Sequence, residues 1–220
     1  MPAKSSPPTS DRTRVKRLPE RGHYDRETVH AILDAGFICH VGYAIDGQPY
    51  VTPTSYWRDG DHVYWHGSSA SRMLRAQSQR IPVCFTVTLV DGLVLARSAF
   101  HHSMNYRSVM ALGEAEIIAD EGAKTAALRA FVERMVPERW DGLRPVTSQE
   151  LKATTVLRLA LNEASAKIRV GPPKDEPEDY VLPIWAGIVP LSINVGQPIP
   201  DAKLVADAKG EPDVRTIRIG

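Results

Sequence analysis

Residues 37–66, FICHVGYAIDGQPYVTPTSYWRDGDHVYWH, hold three β-prone runs separated by two Asp-Gly pairs. Asp46-Gly47 lies between 37–43 and 50–57, and Asp59-Gly60 between that second run and 62–66. The favoured two-residue hairpin turn needs positive φ at both central positions. Asp-Gly supplies it, so the stretch predicts an antiparallel meander. Downstream, the alternating Val83, Phe85, Val87 and Leu89 mark another strand, and Asp91-Gly92 predicts a hairpin into 93–100. Residues 101–108, HHSMNYRS, break the pattern before an apolar run through Ile118.

Upstream, Asp25 is placed to cap a short helix with Val29, Ile32 and Leu33 on one face and Gly36 at its end. A second short helix is expected from Arg72 to about Ser78. A longer one is expected over 123–136, where Ala127, Phe131 and Met135 recur at fours and Pro137 follows. Thr147 and Glu150 have capping-box spacing. Strands at 155–161, 166–170 and 184–191 complete the set. Strands joined mainly by tight turns, with few helices, predict a mainly β chain: an antiparallel barrel with helices packed outside. Helices and strands do not alternate, which argues against a doubly wound parallel sheet.

The chain has 220 residues, 43% of them hydrophobic and 24% charged, enough for one domain with appended tails. Residues 1–21 carry prolines and Lys4, Arg12, Arg14, Lys16, Arg17 and Arg21, and read as a flexible basic arm. Residues 22–191 read as the domain. Residues 192–220 turn polar and read as a tail or an arm that packs on a partner. Lys and Arg exceed Asp and Glu by 27 − 26 = +1, so charge points to neither nucleic acid nor a membrane. No apolar run reaches the roughly 18 residues of a membrane span. Cys39 and Cys84 sit in apolar runs as thiols of a reducing compartment, and the expected location is the cytoplasm.

The first place for chemistry is 63–78, VYWHGSSASRMLRAQS. A small-residue loop running into a helix start leaves backbone N–H groups unpaired near solvent. Ser68, Ser69 and Ser71 add hydroxyls and Arg72 a bidentate cation suited to a phosphate, although the same residues also suit a plain serine N-cap. Neither GxxxxGK[ST] nor GxGxxG occurs. The second place is HHSMNYRS. His101 and His102 point to opposite sides of a strand and so do not chelate one metal, and no HExxH or CxxC spacing supports a metal site. The third is Lys167 with Arg169 on one strand face, two like charges that want solvent or an anion. Trp185 reads first as a core residue. No GxSxG elbow appears and neither cysteine has an activating base, which leaves chemistry carried by a bound cofactor.

GSSASRM (67–73), LVDGLVLARSAFHHSMNYRSVMALGEAE (89–116), ASAKIRVGPPKDEPED (164–179) and PIWAGIVPL (183–191) together resemble one family. It is the flavin-nucleotide-binding branch of the pyridoxamine 5′-phosphate oxidase-like superfamily, which includes relatives of nitroimidazole-resistance reductases. The likeness runs from about Arg21 to Leu191. It implies a split β-barrel homodimer with FMN at each of two sites in the subunit interface. Ser71 and Arg72 would grip the FMN phosphate. The Lys that follows in the family motif is Met73 here, so either Arg75 or a residue from elsewhere would replace it, or FMN would bind more weakly. Pro53, Thr54 and Ser55 would run beside the isoalloxazine, with His66, Gly67 and Ser68 near the ribityl phosphate.

By the same likeness Asn105, Tyr106 and Arg107 approach from the facing strand, and Trp185 matches a Trp near the end of such chains. The implied function is an FMN-dependent oxidoreductase acting on a small acceptor such as a quinone or nitro compound, with NAD(P)H as an electron source. Lys167, Arg169 or Arg107 could supply a cation near flavin N1, and His102 joins Lys167 and Arg107 among the catalytic candidates. The alternatives are an FMN carrier or redox sensor without turnover, or a haem-binding barrel with His66, His101 or His102 as axial ligand.

Overall fold

The computed structural model describes residues 10–220. Ten strands make one continuous antiparallel system: β1 (Gly22–His23), β2 (Ile38–Ile45), β3 (Gln48–Asp59), β4 (His62–Ser68), β5 (Pro82–Leu95), β6 (Ser103–Glu114), β7 (Glu116–Ile117), β8 (Thr154–Ala160), β9 (Ala164–Arg169) and β10 (Gly187–Pro190). Their order is β1-β9-β6-β5-β2-β3-β4-β8-β7, with β10 added to β5. At Ala115, which has no exposed surface, the chain steps from β6 on one side of the order to β7 on the other. That step closes the strands into a split barrel, as expected.

The meander forms as the turns dictate. Asp46 (φ 51°) and Gly47 (φ 78°) are the two loop residues between β2 and β3, both in the left-handed region. The next turn slips by one residue: Asp59 pairs with His62, so Gly60 and Asp61 are its loop. The third expected hairpin does not exist. Residues 82–95 are one long strand, and Asp91 sits at a β-bulge between Val90 and Gly92. Two contacts explain this. The Asp91 carboxylate is taken by Arg107 of β6. Gly92 faces β10 so closely that a Cβ there would lie 3.1 Å from the Val189 carbonyl oxygen. The glycine serves close approach rather than a turn.

HHSMNYRS also differs from expectation, because Ser103 onward belongs to β6 and only Ala99–His101 forms a 3-10 turn. The expected strand at 184–191 shortens to β10.

Inside the barrel lie Cys39, Val41, Tyr43, Val83, Phe85, Val87, Val109 and Ala111, with Trp65 and Tyr56 among the largest fully buried side chains. Helix α1 (Arg26–Asp34) plugs one end. Asp25 accepts from Thr28 N at 2.8 Å, and Val29, Ile32 and Leu33 are buried, as the spacing requires. Helix α2 (Arg72–Gln77) follows β4. Helix α3 (Glu121–Met135) lies outside, with Phe131 against Trp57 and His66. Helix α4 (Ser148–Ala153) opens with the expected Thr147–Glu150 capping box.

The opposite, outward face carries Pro49, Val51, Pro53 and Ser55 on β3 and Ile38, His40, Gly42 and Ala44 on β2. It continues through Cys84, Thr86 and Thr88 on β5 to Ser108, Met110 and Leu112 on β6. The residues named here include no Asp, Glu, Lys or Arg, and Glu114, paired with Pro82 at the end of β6, borders them on the same face.

Residues 10–21 lie along the barrel: Thr13 is 1% exposed, and Val15 N donates to Tyr24 Oη at 2.8 Å. Beyond β10 the chain forms a strap tied at both ends. Leu191 N donates to Asp91 O, while Gly220 N donates to Ala35 O and Arg139 to Gly210 O. Between these ties Ile199 and Val205 are 93% and 66% exposed. Among the described residues no helix is long and apolar enough to cross a membrane.

Candidate functional site

Strand β4 delivers His66, Gly67 and Ser68 to the rim, and Ser69–Ser71 turn the chain into α2. The loop is held by its own backbone. Ser69 N donates to Ala153 O at 2.8 Å and Ser71 N to Ser68 O at 2.9 Å. Ser71 is the N-cap, with its hydroxyl accepting from Leu74 N at 3.5 Å, while the Ser68 hydroxyl accepts from Ala70 N. The first-turn N–H groups of Arg72 and Met73 have no intrahelical acceptor. Arg72 is exposed and lies over the Tyr50 ring, 4.5 Å from its centroid, with no carboxylate partner among the described residues. Serine hydroxyls, free N–H groups and an unpaired guanidinium are the parts a phosphate needs. Met73 contributes only its backbone, since its side chain is 8% exposed and packs in the core.

On β3, Pro53 and Ser55 face outward opposite His40 and Ile38. Thr54 faces inward opposite Cys39, whose thiol donates to the Thr54 carbonyl. Burial pushes the Cys39 thiol up to about 12, so it stays protonated and inert. Cys84 lies on the outward face, and both cysteines are free.

The facing strand is less open than its sequence suggested. Asn105 is 6% exposed and is used internally, its amide donating to Gly171 O and accepting from Arg169. Arg107 holds Asp91 through two hydrogen bonds of 2.9 and 2.7 Å. That pairing raises its pKa and offsets its charge, which weakens it as a cation for flavin N1. Tyr106 pairs with Arg169 across the ladder. Lys167 lines a groove with Thr86, Thr88 and Ser108, bordered by residues 13–17. Trp185 is 66% exposed and is not the core residue its type suggested; its indole lies over Gly187.

The three candidate histidines separate clearly. His66 sits between Trp57 and Phe131, with ring centroids 5.7 and 4.6 Å away. Its Nδ1 is buried with no partner, and burial holds its pKa below the ordinary value, so the ring is neutral near pH 7. Trp57 Nε1 is a second buried polar atom without a partner. His101 lies 3.3 Å from a Glu176 carboxylate oxygen. His102 is exposed, its Nδ1 2.9 Å from the Ser98 carbonyl oxygen.

Sequence reasoning missed the tied strap and the isolation of Arg169. The pairing of Arg107 depends on a bulge that Asp91-Gly92 disguised as a turn.

The family model for pyridoxamine 5′-phosphate oxidase matches residues 25–168. Among solved structures the chain is similar to the flavocytochrome Anf3 from Azotobacter vinelandii, at 49% identity and TM-score 0.92, covering 97% of this chain and 99% of that one. It is also similar to an FAD and haem binding protein from Mycobacterium smegmatis, at 36% identity and TM-score 0.85, covering 90% and 97%. A protein named for 5-nitroimidazole antibiotic resistance, from Bacteroides thetaiotaomicron, shares the fold at 22% identity and TM-score 0.55, covering 67% of this chain and 86% of that one. A search of curated proteins finds no match.

Proposed function

This chain belongs to the pyridoxamine 5′-phosphate oxidase family, and we propose that within it the protein is a redox carrier or oxidoreductase holding a flavin nucleotide and a haem. The observation that carries this reading is the β4–α2 segment, where a neutral, unpartnered His66 and an unpaired Arg72 lie six residues apart on one rim. Two relatives, one named a flavocytochrome and the other an FAD and haem binding protein, support the pairing of cofactors. His66, named earlier as a candidate axial ligand, thereby becomes the favoured one of three.

A flavin supplies two-electron chemistry at N5 and a haem one-electron exchange; the chain's task is to hold and tune them. Arg72 with the Ser71 N-cap and the first-turn N–H groups would bind a flavin phosphate. Met73 leaves the loop with one cation, so a second must come from Arg75, from another strand or from a second copy. FAD is named for the mycobacterial relative, whereas FMN is what the motif implies; mass spectrometry of the released nucleotide decides between them. Buried against Trp57 and Phe131, the His66 ring is oriented by packing and its lone pair is not lost to protonation.

We further propose a homodimer, supported by the outward face, sparse in charge from Ile38 to Leu112, and by the apolar side chains on the strap. Trp185, exposed at the edge of β10, would then lie at the cofactor between copies.

The absorption spectrum of purified protein is the test. Flavin bands together with one intense haem band are expected, and His66→Ala should lose the haem band while keeping the flavin. A colourless protein that takes up neither cofactor overturns the reading. Steady-state oxidation of NADH or NADPH with a panel of quinones and nitro compounds separates an enzyme from a carrier or sensor.

A further inference from the structure

Arg169 ends β9 and is 9% exposed, yet its charge has no counter-ion among the described residues. Among the described residues its one hydrogen bond runs from Nη1 to Asn105 Oδ1, at 2.5 Å. Asn105 is held in turn by the Gly171 carbonyl, to which its Nδ2 donates at 3.2 Å. That second bond fixes the amide with its oxygen turned toward the guanidinium.

Other arginines of the barrel are paired. Arg58 has Asp34, Arg97 has Asp175 and Arg107 has Asp91. Arg134 instead gives its donors to the carbonyls of Asp34, Gly36 and Arg218. Arg169 has neither solution. A second cation, Arg21, ends the 3-10 turn Pro19–Arg21, one residue before Gly22, which pairs with Lys167 of β9 beside Arg169. A largely covered guanidinium without a counter-ion is costly, and a second guanidinium on the adjoining turn adds to the cost. An anion received between the two removes both penalties, because each offers a planar fork matched to two oxygens.

We propose that Arg169 and Arg21, with Asn105 as the positioning residue, form an oxyanion site for a carboxylate or phosphate group. It is built from β6, β9 and the Pro19–Arg21 turn, whereas the Ser71–Arg72 loop belongs to the β4–α2 connection. Val170 and Met104, next in sequence to Arg169 and Asn105, are 76% and 50% exposed. The ligand that suits such a rim has an apolar body and an anionic end. A haem propionate, a flavin phosphate and a free anion share this chemistry. The first two rest on the function proposed above and the third does not.

Wild type, Arg169→Gln and Arg21→Gln are compared for haem affinity, flavin affinity, and the dependence of Tm on inorganic phosphate. A propionate at the site gives at least a tenfold loss of haem affinity on substitution, with flavin unchanged. A flavin phosphate gives the reverse. A free anion raises Tm in wild type and not in the variants. No change in any of the three overturns the site. So does a proportionate loss of both cofactors with a lowered Tm, which marks Arg169 as structural. If Arg169→Gln does not fold, Arg21→Gln and Arg169→Lys carry the same comparison. A wild type that binds neither cofactor sinks the flavin–haem reading and leaves phosphate to decide this site.

Discussion

Arg107 of β6 and Asp91 of β5 meet beside the bulge, joined by hydrogen bonds of 2.9 and 2.7 Å, with side chains 30% and 29% exposed. The geometry is bidentate and partly screened from water, so it outweighs an ordinary surface ion pair. Asp91→Ala is expected to cost about 1 to 2 kcal/mol in urea unfolding. Arg107→Ala added to it should cost little more, and a double-mutant cycle should return about 1 kcal/mol of coupling. Strictly additive losses would show that the contact contributes nothing to stability.

Arg72→Ala should weaken flavin binding by roughly 10- to 150-fold, the worth of about 1.5 to 3 kcal/mol for a charge-assisted contact. The fluorescence of released flavin reports it. Met73→Lys, which restores the residue of the family motif, is expected to fail as a rescue. Its ammonium would have to enter a core position that is 8% exposed, so Tm falls and flavin affinity does not rise. Tighter binding in a stable Met73→Lys protein would mean that this side chain can reach the loop.

His66 provides a pH signature. Its pKa is lowered by burial from the ordinary 6.5, so below that pH the unfolded chain takes up a proton that the native ring refuses. Stability is therefore full above 6.5 and declines as the pH falls from there toward the lower native pKa. His30 is shifted in the same direction, also chiefly by burial, and contributes alongside. In urea melts at pH 7.5 and 5.5, His66→Phe should lose less stability on acidification than wild type. Equal losses would place the ring in water.

The strap makes an oligomer prediction. Ile199 and Val205, 93% and 66% exposed, should lie against a second copy. Burying such side chains is worth about 1.5 to 3 kcal/mol each. Replacing both with Asp should raise the dimer dissociation constant at least tenfold in analytical ultracentrifugation, while the far-UV spectrum stays native. A wild type that sediments as a monomer at all concentrations contradicts the arrangement.

Local rules made much of the barrel legible. Asp25, Asp46-Gly47 and Thr147–Glu150 each carry their information within four residues, and each forms as read. Asp91-Gly92 misled because its role depends on β10 and Arg107, both remote in sequence. For the candidate site, the Ser71–Arg72 loop was readable as a helix start, whereas the burial of Met73 and the exposure of Trp185 depend on packing. The solitude of Arg169 was invisible for the same reason: a missing counter-ion is a property of the assembled sheet. Lys167 and Arg169 alternate onto one face in sequence, yet one lines an open groove and the other is covered at the end of its strand.

The outward face of β2, β3, β5 and β6, sparse in charge with Glu114 at its border, has a consequence for how the protein is made. Like charges are what keep one nascent sheet from sticking to a stranger, and here they are sparse. In the proposed homodimer, a newly synthesised protomer would be in a race between meeting its mate and clumping with its neighbours. Slow expression in the cold, with precursors of the proposed flavin and haem supplied, should favour the first outcome.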